Sequence, residues 1–188
     1  MHPEILERLI ERSGYVTLER LRIRLADGAE VWREMERHGD SVAVLPYDVE
    51  RRVALTVRQF RAPVFALSGE TMLEEACAGM IDSSDAETAV RREAYEEVGV
   101  RLGELEWLAR VWTGPGIGAE RQTLFLAPYT PADREGDGGG LASENEGIVV
   151  IERPLDELAA DADAGRIADA KLLTLVMALR LRHPALFG

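Results

Sequence analysis

Two tandem pairs of strand-like runs constrain what this chain can fold into more than any other feature. YVTLERLRIRL (15–25) and VWREMER (31–37) carry β-branched and aromatic residues and flank Asp27-Gly28, a hairpin turn signal. SVAVLPYD (41–48) and RVALTVRQF (52–60) form a second pair around an acidic turn. Further strand-like runs are GELEWLARVWTG (103–114), ERQTLFLAPY (120–129) and IVVIERP (148–154). One helix is expected over 85–98, and LDELAADADAG and DAKLLTLVMALRLRH read as two closing helices with Ala and Leu at helical spacing. Short strands with one central helix and C-terminal helices predict an α+β fold, an α/β/α sandwich.

Between these elements, residues 61–73 bear Pro63 and Gly69 and read as a loop. The polar, Gly-rich segment TPADREGDGGGLASENEG (130–147) reads as a mobile loop. The N-terminal MHPEILERLIERSG is an amphipathic charged segment with no signal-peptide core. At 188 residues the chain fits one domain with a small appendage. No apolar run approaches the roughly 20 residues of a membrane span.

The charge balance narrows the partners. With 22 Lys and Arg against 34 Asp and Glu, the net charge is -12. That argues against a non-specific nucleic-acid or membrane surface, both of which need basic patches. An anionic substrate would have to be drawn in by a local basic cluster or by metal ions. Cys77 is the only cysteine, which excludes an intrachain disulfide and a Cys-based zinc cluster and fits a reducing cytoplasm. His2, His38 and His183 are far apart in sequence, which disfavours His-based catalysis.

The stretch RREAYEEVGV (91–100) poses the chemical question. Glu93, Glu96 and Glu97 stand at i, i+3 and i+4, where like charges weaken a helix by a few tenths of a kcal/mol per pair. Ser83 or Ser84 is placed to cap this helix, and Gly99 to end it. Counting about 100° per residue from Glu93, the apolar face of Val90, Ala94 and Val98 spans about 60–140°. Arg91 and Arg92 fall on the far side, and the three glutamates lie at the edge of the apolar face. That position suits a hard cation such as Mg²⁺, which takes oxygen ligands. On spacing alone, a solvated stripe and a cation site stay equally open.

Residues 79–100 resemble the Nudix box, G-x5-E-x7-R-E-apolar-x-E-E-x-G-apolar. The second half matches throughout, from Arg92, Glu93 and Ala94 to Glu96, Glu97, Gly99 and Val100. The first half departs: with seven residues between it and Arg92, the first Glu of the box falls at 84, which is Ser84, with Asp85 beside it, and the box is one residue short. Together with LEEACAGMID, it is similar to the branch that hydrolyses GDP-mannose, ADP-ribose and related nucleotide sugars.

The resemblance implies a Nudix fold with a mixed sheet. Residues 1–40 would be an N-terminal antiparallel β extension that forms a homodimer, and residues 41–188 the hydrolase domain. It implies Mg²⁺, with Mn²⁺ as the alternative, on Glu93, Glu96, Glu97 and the Ala78 carbonyl, with Glu75 a weaker candidate. VRQFR would bring Arg61 to substrate phosphate, with Arg58 and Gln59 beside it; as plain residues these arginines read equally as strand-end charges. Gly116 and Gly118 would line the sugar pocket or belong to a plain hairpin loop. From SENEGI, Glu144 is the expected base and Glu146 an added metal ligand. Cys77 is expected to pack in the core.

The implied activity is Mg²⁺-dependent cleavage of a nucleoside diphosphate sugar to a nucleoside monophosphate and a sugar phosphate. The alternatives are a non-catalytic nucleotide-sensing module and a diphosphatase for another nucleotide.

Overall fold

The computed structural model describes residues 2–82, 85–141 and 147–188. Ser83, Ser84, Glu144 and Glu146 lie outside the described residues. The chain divides into two compact units, residues 1–41 with 110–122, and residues 42–109 with 123–188.

In the first unit, β1 (Glu4–Arg12), β2 (Thr17–Arg24) and β3 (Glu30–Arg37) form a three-stranded antiparallel sheet in sequence order. Thr17 opposes Arg37 and Arg24 opposes Glu30, so the β2–β3 hairpin turns at the expected Asp27-Gly28. The Asp27 carboxylate accepts the Ala29 N–H at 3.0 Å, and Gly28 holds φ +91, a conformation that favours glycine. The charged N-terminal segment forms the strand β1. Its charges are cross-strand partners: Arg22 donates to Glu7 at 3.1 Å and Arg24 to Glu4 at 3.1 Å. Glu19 is fully buried between the guanidinium groups of Arg8 and Arg37.

The second unit is a sandwich. Its strands are β4 (Ser41–Asp48, from residue 42), β5 (Val53–Gln59), β6 (Leu73–Glu75), β7 (Cys77–Met80), β8 (Glu106–Trp112, to residue 109), β9 (Arg121–Pro128, from residue 123) and β10 (Val149–Pro154). Along the sheet the order is β10-β5-β4-β9-β8, with β6 on β5 and β7 on β4. Both faces are covered, which is why SVAVL reads as a continuous apolar run rather than an alternation. Val42 and Val44 pack with Ala89, Val90, Ala94 and Val98 of α2 (Ala86–Val98). Ala43 and Leu45 point the other way, onto Leu155 and Leu158 of α3 (Leu155–Asp163) and Leu172, Leu175 and Leu179 of α4 (Ala170–Arg182).

Two local expectations are corrected. Residues 62–68 form helix α1 (Ala62–Ser68) where the sequence predicts a loop. Pro63 sits in its first turn and Gly69, at φ +78, closes it by donating to the Phe65 carbonyl. Both residues therefore mark helix ends here. The cap of α2 is Asp85, not a serine: its carboxylate accepts the Thr88 N–H at 2.9 Å.

The Gly-rich segment also differs from the expected mobile loop over residues 133–140. These are bonded along their backbone to the end of α2: Arg101 N–H donates to Asp133, Glu135 and Gly136 to Gly99, Gly139 to Glu97, and Gly140 to Glu96.

Candidate active site

The three glutamates of α2 occupy three different environments. Glu97 is 3% exposed, and one of its oxygens accepts the Ala78 N–H from β7 at 2.9 Å. Glu93 lies over Gly79: a Cβ there would meet its carboxyl carbon at 2.0 Å. Glu96 is more open and accepts from Arg92 at 2.8 Å, while Arg92 donates also to Glu93 at 2.7 Å. Arg92 thus departs from the far-side position the helical wheel gave it. It curls back and neutralises two of the carboxylates, and it reaches the Met80 carbonyl at 3.4 Å.

This explains how like charges at i, i+3 and i+4 coexist on one helix. Part of the repulsion is offset by Arg92, and part by the backbone N–H that binds Glu97. Among the described residues, no three His, Cys, Asp or Glu side chains already stand as a cation cluster. The donor chemistry nevertheless fits a hard divalent cation: three carboxylates on one helix face a strand segment whose Gly79 leaves room for Glu93. The soft donor alongside, Cys77, is fully buried. Burial pushes its thiol well up, and the Glu97 and Glu93 charges push in the same direction, so it stays protonated.

Arg61 stands at the end of β5 and binds Glu75 side-on, Nε donating at 2.6 Å and Nη2 at 3.1 Å. It is close enough to Glu97 to feel that charge. Burial alone would lower the Arg61 pKa, but the hydrogen bonds and charge of Glu75, with Glu97 and Asp169 adding, raise it. Glu75 itself is 2% exposed and also accepts from Lys171 Nζ at 2.8 Å. Burial would raise its pKa, and the bonds and charges of Arg61 and Lys171 outweigh that and lower it. Its two oxygens are therefore engaged by cationic side chains rather than turned to the α2 carboxylates.

Arg58 is half exposed and donates to Glu74 at 3.2 Å, a carboxylate also held by Arg153 and Thr56. Gln59 is buried. Gly116 and Gly118 belong to the first unit, in a turn where Gly118 N–H donates to the Gly114 carbonyl at 2.6 Å and Ile117 bonds β3 through Glu36. Glu144 and Glu146 are outside the described residues.

Lys171 and Asp169 were not singled out in the sequence. Asp169 caps α4, accepts from Ala76 N–H at 3.2 Å and from Lys171 Nζ at 2.9 Å, and so ties α4 to the strand leading into Ala78. The usable signal was an Asp immediately before an apolar helical run.

A mixed sheet between helical layers, with a carboxylate-bearing helix laid against a Gly-containing strand, defines the class of protein. The chain belongs to the Nudix family: its residues 37–176 match the NUDIX domain. It is 35% identical over 187 residues to a GDP-mannose pyrophosphatase of Cronobacter sakazakii, covering 97% of each chain. To the GDP-mannose pyrophosphatase of Pectobacterium atrosepticum it is 38% identical over 145 residues, 77% of this chain and 74% of that one. Its fold matches a crystal structure described as an ADP compounds hydrolase with a TM-score of 0.80 at 18% identity, over 98% of this chain and 96% of that one.

Proposed function

We propose that the protein hydrolyses the pyrophosphate bond of a nucleoside diphosphate sugar of GDP-mannose or ADP-ribose type, with Mg²⁺, giving a nucleoside monophosphate and a sugar phosphate. The observation that carries this reading is the seating of Glu93 and Glu97 on Gly79 and Ala78, with Arg61 within electrostatic reach. The pyrophosphatase names of the relatives similar over most of the chain support it.

Glu93, Glu96 and Glu97, with the Ala78 carbonyl, would hold the cation. When bound, it supplies Lewis-acid polarisation of the diphosphate and a lower pKa for the attacking water. The part of this chain in the reaction is positional and electrostatic. Glu97 is oriented by the Ala78 N–H, which donates to one of its oxygens at 2.9 Å. Arg61 is pinned on one edge by Glu75, which leaves its remaining N–H donors for substrate phosphate oxygens. Arg92, now bonded to Glu93 and Glu96, would yield those carboxylates as the cation binds. Glu144 would accept the proton of the attacking water and Glu146 would add to the metal ligands; Arg58 and Gln59 would line the substrate.

The same reading makes residues 1–40 the β extension of a cytoplasmic homodimer. Among the described residues, no helix is long and apolar enough to cross a membrane. Sedimentation of the full chain tests the dimer.

The activity is tested by incubating the protein and Mg²⁺ with GDP-mannose, ADP-ribose and UDP-glucose and identifying the products. The expected result is a nucleoside monophosphate plus a sugar phosphate from one of them, and its loss in Glu97→Gln. Absence of cleavage across the panel would leave a non-catalytic nucleotide-sensing module or a diphosphatase for another nucleotide, and a Glu97→Gln variant as fast as wild type would remove Glu97 from the cation site.

A further inference from the structure

The carbonyls at the end of a helix have no partner within it and must be satisfied from elsewhere. In α2 the carbonyls of Ala94 and Tyr95 are met by the αL cap at Gly99 and by Val100. The next two belong to Glu96 and Glu97, residues assigned above to the cation. Their carbonyls are met from a distant part of the chain: Gly140 N–H donates to Glu96 at 3.0 Å and Gly139 N–H to Glu97 at 2.9 Å.

Three consecutive glycines make this possible. Gly138, Gly139 and Gly140 all hold positive φ, at 69, 102 and 76. A Cβ on Gly138 would stand 2.4 Å from the Glu97 carbonyl oxygen and 2.8 Å from Val98 Cα. Those are backbone atoms, so no side-chain rotation relieves the overlap. The approach is reciprocal, since a Cβ on Gly99 would stand 2.1 Å from the Gly136 carbonyl oxygen. Side chains are excluded from both sides of the contact.

We propose that residues 136–140 are a positioning clamp, holding by backbone contact the turn of α2 that carries Glu96 and Glu97. The proposal rests on the reading of those glutamates as cation ligands. It assigns a role to GDGGG that neither the box motif nor the phosphate-site residues contain. A clamp made through backbone atoms fixes the height and rotation of the helix end that carries both carboxylates. Coupling between two such elements is reciprocal: if the clamp favours cation binding, bound cation must tighten the clamp.

Two measurements test it. The first uses wild-type protein, titrated with Mn²⁺ by calorimetry and then followed by amide hydrogen exchange. Slower exchange at Gly139 and Gly140 in saturating Mn²⁺ is expected; unchanged exchange there, with Mn²⁺ bound, overturns the clamp. The second compares Gly138→Ala with Gly165→Ala, since Gly165 also holds positive φ (+67) but has open space at its Cβ position. Both variants carry the backbone strain, and only Gly138→Ala meets α2.

Mn²⁺ binding weaker by about tenfold or more in Gly138→Ala is expected, the size seen when a ligand's supporting contacts are lost, with Gly165→Ala binding as wild type. Equal binding by both variants overturns the proposal. If Gly138→Ala does not fold, the exchange measurement decides alone. Failure of the wild-type protein to bind Mn²⁺ at all would instead sink the cation reading on which the clamp stands.

Discussion

The carboxyl carbon of Glu93 lies 2.0 Å from the point where a Cβ on Gly79 would stand. Gly79 does not hold a positive φ, so its backbone would accept alanine. The atoms in the way are the far end of a flexible side chain, which can swing out at little cost to folding. Gly79→Ala is therefore expected to keep a near wild-type Tm while losing roughly 10–100-fold in kcat/KM through misplacement of Glu93. Thermal unfolding and steady-state kinetics on the cleaved nucleotide sugar read the two effects separately. A fall in Tm that accounts for the lost activity would contradict the positional role of Gly79.

Glu75 holds two cations apart, accepting from Arg61 at 2.6 Å and from Lys171 at 2.8 Å. In Glu75→Gln, Lys171 keeps Asp169 as a counter-charge at 2.9 Å, while Arg61 loses the carboxylate it binds. A fully buried pair broken in this way costs about 3–5 kcal/mol, but Arg61 is 43% exposed, so about 2–3 kcal/mol is expected from urea unfolding at pH 7. The folded-state pKa of Glu75 is lowered from 4.5, so its stabilisation is complete above that pH. It is lost as pH falls from 4.5 through the lower folded value. Wild-type stability should therefore drop more steeply than that of the variant below pH 4.5, and parallel curves would remove Glu75 as the cause.

How much of this was legible in the sequence depended on the range of the contact. The α2 carboxylates were placed by a 3.6-residue period, and a period is a local property. The two-faced burial of β4 followed from an unbroken apolar run. Pro63 and Gly69 were misread because the same residues end helices and make loops, and seven residues gave too little periodicity to choose. The Glu75–Lys171 contact joins positions 96 residues apart, and nothing local at either end announces it. The glycines at 138–140 looked like flexibility, whereas their missing side chains permit a backbone contact with α2. Arg92 was placed by its Cα direction, but a long side chain can return across the helix surface to a residue four positions on.

That Asp85 caps α2, where Ser83 or Ser84 is expected, also has a measurable consequence. The Asp85 carboxylate accepts from Thr88 N–H at 2.9 Å and from its hydroxyl at 3.0 Å. These bonds lower its pKa below 3.8. Asp85→Ala is expected to lower Tm by about 2–4 °C for a chain of this size. Asp85→Ser should recover most of it, since a hydroxyl also accepts from the helix N-terminus. If the alanine variant melts with wild type, Asp85 is not the cap.

Tyr129 gives the opposite sign of effect. Its hydroxyl is buried and, among the described residues, has no hydrogen-bond partner. Burial, with the Glu152 charge next, pushes its pKa up to about 12 from 10. Below pH 10 the phenol is neutral in both folded and unfolded chains and contributes no pH dependence. Between pH 10 and about 12 the unfolded chain ionises while the folded one does not, so stability falls as pH rises. Tyr129→Phe removes both the unsatisfied hydroxyl and the titration. The variant is expected to match wild type at pH 7 or exceed it by up to about 1 kcal/mol, because no hydrogen bond is lost and an uncompensated polar group is removed. Its denaturant midpoint should also fall less between pH 10 and 11.5 than that of wild type. A variant destabilised at pH 7 would show instead that the hydroxyl is satisfied in solution by bound water.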